Sequence, residues 1–405
     1  MVTIPPDTIV PIDGDSPRDS TSEKMRIAVL TEIISPYRIP FLNELSSDPS
    51  IDLEVLFFSK TEGRRNWKIP WKSISFKYKV LPGWLVARRY QGGPIFFNPG
   101  VWRNLQKGRF QAVIFFGYHH PTIWLSLLWC RIAHIRTLVW SESTLLDIRS
   151  SNKVVENLKR WIVARCDGFV AAGSSQVKYL RHLGVSYEQI WVAPDSVDSE
   201  HFTSQSLHHR SLRPEIMRAL GIKPPIVLYV GRLLDAKGIP ELLDAFKEVI
   251  RYQKATLLLV GDGPDRMRYE KICAESNLAS VHFVGFQDQE ELPRYYGIAD
   301  VLVFPTRSDP WGLVLNEGMC SGLPILCSTA AGAALDLVFS GQNGFLHEPG
   351  DVQQLAKHLK TLLRDPNLRS RMGQCSQEII AGFTPRRMAD GFLDAILDKP
   401  QDSLS

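Results

Sequence analysis

The chain has 405 residues, an apolar fraction of 44% and a charged fraction of 22%, which suits a globular protein of two or three domains. A formal net charge of only +4 and the lack of a nucleic-acid motif argue against nucleic acid as a partner. No run approaches the roughly 18 apolar residues of a membrane-crossing helix, and the six cysteines form no Cys-x-x-Cys pair, so buried thiols in a reducing compartment are expected.

Residues 1–24 hold Pro5, Pro6, Pro11, Pro17, several acids and no apolar run. They read as a disordered leader rather than a signal peptide, and the expected location is cytoplasmic. Order is expected to begin with a near-continuous apolar strand at 25–31, the pattern of a parallel sheet covered on both faces. Strand-like runs follow at 53–58, 112–116, 137–140 and 168–172, with helical patterns between several of them. The alternation predicts a doubly wound parallel sheet over residues 25–198.

Residues 60–79 carry Lys60, Arg64, Arg65, Lys68, Lys72, Lys77 and Lys79 against one acid, Glu62. Trp67, Trp71 and Phe76 are interleaved, and Trp84, Arg88 and Arg89 follow. Such a segment, 60–89, suits an anionic membrane surface and peripheral attachment. It equally suits a solvated loop with its tryptophans folded inward.

Residues 199–222, rich in His, Ser and Arg, show no strand pattern and read as a linker. A second set of apolar runs at 226–231, 256–260, 281–284, 299–304 and 324–327 predicts a second doubly wound domain over 223–385. A last helix is expected at 386–398, followed by a tail, 399–405. Ligands of such sheets bind beyond the carboxyl ends of the strands, and in a paired arrangement those ends face each other across a cleft.

The most informative stretch is 304–324. A strand runs into a loop of small and polar residues, the loop ends at Gly312, and a helix carrying Glu317 follows. Asp309 and Glu317 place one carboxylate in the loop and one about a turn inside the helix. Between them lie the N–H groups of Gly312 and Leu313 at a helix start, which attracts anions. Hydroxyl acceptors at both ends with an anion site between them suit a nucleotide sugar. Arg232 and Lys237 flank the end of the run 226–231, where a guanidinium fork and an ammonium can meet a diphosphate. Asp309 before Pro310 also reads as a turn former. Gly-Asp-Gly-Pro at 261–264 reads as a structural turn.

These residues resemble the Glu-x7-Glu signature of retaining glycosyltransferases of family 4, with Asp309 where that family has its first Glu. Val-Gly-Arg-Leu at 230–233, Lys237-Gly238, Gly-Asp-Gly-Pro, Phe-Val-Gly-Phe at 283–286 and Pro-Asp-Ser-Val-Asp at 194–198 follow the family order. The resemblance implies the GT-B fold, two Rossmann-like domains facing across a cleft, with the last helix packing back on the first domain. It implies transfer of a sugar from a nucleotide diphosphate sugar to a glycan or lipid-linked hydroxyl, with configuration retained. Glu317 would take the ribose, Asp309 the transferred sugar, and Arg232 and Lys237 the diphosphate, with Gly231, Gly312 and Leu313 lining the donor site. Phe286 would lie near the base or in the core.

His119, in Phe-Gly-Tyr-His-His-Pro at 116–121, matches a family histidine beside the donor sugar. The loop 32–40 lacks the family's Gly-Gly pair. Its Tyr37 and Arg38 would meet a sugar ring and a phosphate of the acceptor, or pack a helix start on the core. No Asp-x-Asp element suggests a metal, and no cofactor is expected. A nucleotide-sugar epimerase of the same architecture and a non-catalytic nucleotide-sugar-binding subunit are the alternatives; no Gly-x-Gly-x-x-Gly fingerprint supports an oxidoreductase.

Overall fold

A computed structural model describes residues 24–61, 67–88, 93–147 and 153–399. Most of the expected leader and tail, and Glu62, Arg64, Arg65 and Arg89 of the basic segment, lie outside the described residues.

The first domain is built on strands β1 (Met25–Ile33), β2 (Ile51–Ser59), β3 (Lys77–Val80), β4 (Trp84–Arg88), β5 (Pro94–Phe97), β6 (Ala112–Phe116), β7 (Arg136–Ser141), β8 (Gly168–Ala171) and β9 (Ile190–Val192). Seven form one parallel sheet in the order β3-β2-β1-β6-β7-β8-β9, while β4 and β5 make a separate antiparallel hairpin. The second domain has β10 (Ile226–Val230), β11 (Thr256–Val260), β12 (Val281–Gly285), β13 (Val301–Phe304), β14 (Ile325–Ser328) and β15 (Gly344–His347), all parallel, in the order β12-β11-β10-β13-β14-β15. Every residue of β10, β11, β13 and β14 is buried, which explains their unbroken apolar sequences. Strand order reverses between β1 and β6 and again between β10 and β13. Those two switch points are where a doubly wound sheet opens a crevice.

Residues 199–222 contain two helices, Ser199–Ser211 and Arg213–Leu220. Asp198 caps the first by accepting from the His201 N–H at 3.0 Å. That helix lies against the second domain: Ser206 Oγ is 2.7 Å from Ser321 Oγ, and Arg210 donates to the Ser321 carbonyl at 2.6 Å. The final helix, Pro385–Ile396, crosses back to the first domain. Its Phe392 stacks on Trp140 and sits against Phe41, with ring centroids 4.8 and 4.7 Å apart. Just beyond it, Asp398 pairs with Arg136 at 2.6 Å.

The segment 60–79 divides into parts. Phe76 is buried, Trp67 packs edge-on against Tyr37 at 6.1 Å, and Trp71 is about half exposed. Lys68 reaches Asp288 of the second domain at 3.1 Å, and Lys77 reaches Asp52 at 2.8 Å. No helix among the described residues is long and apolar enough to cross a membrane.

Candidate functional site

The two switch points face each other and enclose a cavity of about 590 Å³ lined from both domains. The second domain contributes Gly231, Arg232, Lys237, Asp309, Gly312, Leu313 and Glu317, and the first contributes Tyr37, Arg38 and His119. Phe286 is not among the lining residues. It follows β12, the sheet's edge strand, and stands about half exposed.

The second-domain wall is set by tight turns. Past β10 the backbone at Gly231 has φ 151°, and the Tyr229 hydroxyl donates to the Arg232 carbonyl at 2.9 Å. A Cβ at Gly261 would fall 1.9 Å from the Gly231 carbonyl oxygen, so the Gly-Asp-Gly-Pro turn backs this loop without reaching the cavity. Lys237 ends a single 3-10 turn, Asp235–Lys237, held by the Arg307 N–H on the Ala236 carbonyl at 3.0 Å. This brings Lys237 Nζ to 2.5 Å from Asp309 Oδ2. The other Asp309 oxygen accepts from the Trp311 N–H at 3.2 Å, so one carboxylate both forms the turn and meets the lysine. Among the described residues no acid pairs with Arg232 at salt-bridge distance.

The helix Leu313–Cys320 starts from Gly312, whose φ is 98°. A side chain there would also strike the Phe304 ring at 2.7 Å. Gly312, Leu313 and Val314 line the cavity at this helix start, where the first N–H groups lack partners within the helix. Glu317 is buried a turn deeper and accepts from the Tyr296 hydroxyl at 2.5 Å. Burial pushes its carboxyl up to about 8, against the opposing effect of that hydrogen bond.

On the facing wall, His119 and His120 both direct Nε2 at Glu32 Oε1, at 3.0 and 2.9 Å. The Phe96 N–H donates to His120 Nδ1 at 3.2 Å. His120 therefore carries its proton on Nε2 and donates it to Glu32, which leaves that nitrogen no lone pair for a metal. His119 and His120 with Glu32 are the one three-residue grouping with metal-ligand spacing among the described residues, and this tautomer argues against its use as one. Burial alone would raise Glu32, but hydrogen bonds from His119 and His120 outweigh it and bring the carboxyl down to about 2. With Nε2–H of a neutral His119 donated to Glu32, its Nδ1 is left as an acceptor.

Arg38 lines the cavity, but its terminal nitrogens are committed. Nη1 lies 2.6 Å from Asp195 Oδ1, and Nη2 pairs with Glu142. The guanidinium sits 5.2 Å over the Trp140 ring. Burial pushes Asp195 up to about 6, and Glu142 adds to this, while Arg38 opposes it. The arrangement sets the Arg38 charge against two carboxylates.

The two walls are also tied together. Gln176 donates to the Pro310 carbonyl at 2.5 Å, and Asn316 donates to the Asp195 carbonyl at 2.9 Å. Trp311 donates its indole N–H to Asn316 Oδ1 at 3.0 Å. Glu32, Glu142, Tyr296, Trp311 and Asn316 are cavity or supporting residues that the sequence reading did not single out. Glu32, Glu142 and Tyr296 meet partners 88, 104 and 21 positions away, so no local motif marks them, whereas Trp311 and Asn316 lie within the stretch 304–324 and their mutual bond appears only in the fold.

Residues 213–378 match the family described as glycosyl transferases group 1. A sulfoquinovosyl transferase from Arabidopsis thaliana is 33% identical over 214 residues, 52% of this chain and 38% of that protein. The lipopolysaccharide core biosynthesis glycosyltransferase LpsE of Rhizobium meliloti is 28% identical over 178 residues, 44% of this chain and 51% of that protein. The chain thus spans about half the length of the curated relatives it matches. Among solved structures, HepE from Anabaena in complex with UDP and glucose superposes with a TM-score of 0.73 at 19% identity, covering 92% of this chain and 99% of that one. WaaG, a glycosyltransferase involved in lipopolysaccharide biosynthesis, gives 0.66 at 16% identity, covering 91% and 99%. By the match of residues 213–378 and the pairing of two Rossmann-like sheets, the chain is similar to the group 1 glycosyl transferases over its second domain and has the GT-B fold.

Proposed function

We propose that this chain is a retaining glycosyltransferase of family 4 that moves a sugar from a nucleotide diphosphate sugar to a hydroxyl of a glycan or lipid-linked acceptor. The observation that carries the reading is the gathering of Arg232, Lys237, Asp309, Glu317 and the helix start at Gly312 in one cavity at the second domain's switch point. In this reading Glu317 accepts hydrogen bonds from the ribose diol, and Asp309 from the transferred sugar. Arg232, Lys237 and the N–H groups of Gly312 and Leu313 hold the diphosphate.

As the glycosidic bond breaks, negative charge grows on the leaving phosphate oxygen. The two cations and the helix start stabilise that charge. The acceptor hydroxyl adds to the anomeric carbon on the face the phosphate leaves, and its proton passes to a phosphate oxygen. No side chain on that face acts as a covalent nucleophile in this scheme, and the cations take the role a metal would have. The relative named for lipopolysaccharide core biosynthesis supports a lipid-linked acceptor, and a place at the inner face of a membrane goes with that reading.

The test is a panel of nucleotide sugars scored by the rise in melting temperature, followed by mass spectrometry of glycolipid or glycan products. Release of nucleoside diphosphate or an epimer without any glycosylated product would favour an epimerase instead. Donor binding with no turnover would leave a binding subunit.

A further inference from the structure

Between Glu62 and Glu142 the chain contains no aspartate and no glutamate. The described part of that stretch includes the β4–β5 hairpin and the helices Val101–Gly108 and Pro121–Ile132, on the first domain. Helix Pro121–Ile132 turns Ile123, Leu127 and Cys130 into the core. It leaves Trp124, Leu128 and Ile132 exposed by 44, 59 and 64%. Their spacing makes a single apolar stripe along the outer face.

The neighbouring elements extend it. Asn98, just past β5, donates to Thr122 Oγ1 at 2.9 Å, tying the hairpin to this helix, and the hairpin exposes Trp84, Leu85 and Val86. Helix Lys153–Val163 shares the inner core through Ile162 and Val163, and exposes Val155, Leu158 and Trp161. Cations flank the stripe. Arg103 and Lys107 are exposed on helix Val101–Gly108, which packs Trp102 on Trp129 at 6.0 Å. Arg160 is exposed on its own helix, and the Arg165 guanidinium lies 3.6 Å over the Trp161 ring. Glu156, on the helix Lys153–Val163, and Asp167, just past it, are paired with Lys159 and Arg131.

Exposed tryptophan and aliphatic side chains with an arginine and lysine rim match the chemistry of an anionic headgroup layer. A second copy seated on the same face would bring the same cations together. We propose that this face of the first domain lies on a bilayer containing anionic lipid, with Trp124, Leu128 and Ile132 in the headgroup layer. The stripe begins next to His119, which lines the cavity, so the acceptor side of the site opens beside the membrane. The proposal rests on the lipid-linked reading of the acceptor and names the surface that would serve it.

The experiment is sedimentation of the full chain with phosphatidylglycerol–phosphatidylcholine vesicles at low salt, against phosphatidylcholine alone. The wild type should bind the anionic vesicles, and release as salt screens the attraction. Leu128→Glu with Ile132→Glu should lower the partition by about tenfold or more, the loss of apolar contact adding to charge repulsion. Melting temperature and calorimetric UDP binding should be unchanged. Lys357→Glu, in the second domain, should bind as wild type. Should the double variant melt early, Trp161→Ser replaces it with the same expected loss. Wild type left in the supernatant, variant binding equal to wild type, or a dimer dissolved by the double variant each overturns the proposal. Loss of UDP binding with vesicle binding intact would overturn the donor reading alone.

Discussion

Lys237 and Asp309 form an ion pair in the cavity wall, with 2.5 Å between Nζ and Oδ2. In the proposed function the lysine meets the diphosphate and the aspartate the sugar, so this ion pair would couple the two ends of the donor. In Asp309→Ala the ammonium is released to the phosphates. Free nucleoside diphosphate should then bind as tightly as to wild type, or more tightly. Intact nucleotide sugar should lose roughly 10- to 100-fold, the worth of a charged hydrogen bond at about 1.5–3 kcal/mol. Calorimetric titration of both ligands decides, and equal weakening of the two would remove Asp309 from the sugar end.

Glu317 should make both stability and donor binding depend on pH. Its folded value of about 8 lies above the ordinary 4.5 because the group is buried. Between those values the unfolded chain has given up a proton that the folded chain keeps. Stability should therefore fall as pH rises from about 4.5 to about 8, by at most ~1.4 kcal/mol per pH unit from this group. Glu317→Gln should remove that part of the slope in urea melts at pH 5 and pH 8. A ribose diol donates to the carboxylate form, so UDP binding at pH 7 should release up to one proton. Titrations in buffers of different ionisation enthalpy measure that release, and the Gln variant should show none.

The parts of this architecture that the sequence displays are those encoded locally. Buried parallel strands such as β10 and β13 appear as uninterrupted apolar runs, and the donor side rests mainly on the contiguous stretch from Phe304 to Pro324. The strands β3, β9 and β15 escape notice because they are short and lie at or near sheet edges. Residues 199–222 escape as helices because their apolar pattern is weak and their packing partners, such as Ser321, lie far along the chain. Motif order puts Phe286 near the base or in the core. It follows β12, two strands away from the β10–β13 switch point, is about half exposed and is not among the residues lining the cavity. The first-domain wall is the least legible part. Arg38 meets residues 104 and 157 positions away, and only the fold brings them together.

Glu32 should matter through His119. In Glu32→Ala the imidazole loses the carboxylate that holds its Nε2–H, and turnover should drop by about tenfold or more, in the lower range of a positioned acid–base group. UDP affinity, set by the second domain, should hold. Glu32→Gln keeps one oxygen that can accept from a histidine and should recover part of the turnover. Equal loss in both variants, or loss of UDP binding, would show damage to the fold rather than to the orientation of His119.

Two motifs far apart in the sequence meet in space: the loop 32–40 supplies Arg38, and the turn Pro-Asp-Ser-Val-Asp at 194–198 supplies Asp195, 2.6 Å apart in the cavity wall. Asp195 is 1% exposed and its Oδ2 has no partner among the described residues, so its charge depends on Arg38. Removing one member strands the other: Arg38→Met should cost about 3–5 kcal/mol in urea unfolding, and Asp195→Leu a similar amount. The double variant exchanges a buried pair for apolar contact and should be less destabilised than the sum, because each substitution relieves the charge the other leaves behind. UDP binding should survive in the double variant, since neither residue belongs to the donor side. Additive losses in the cycle would mean that Glu142 alone balances Arg38 and that Arg38 and Asp195 act independently.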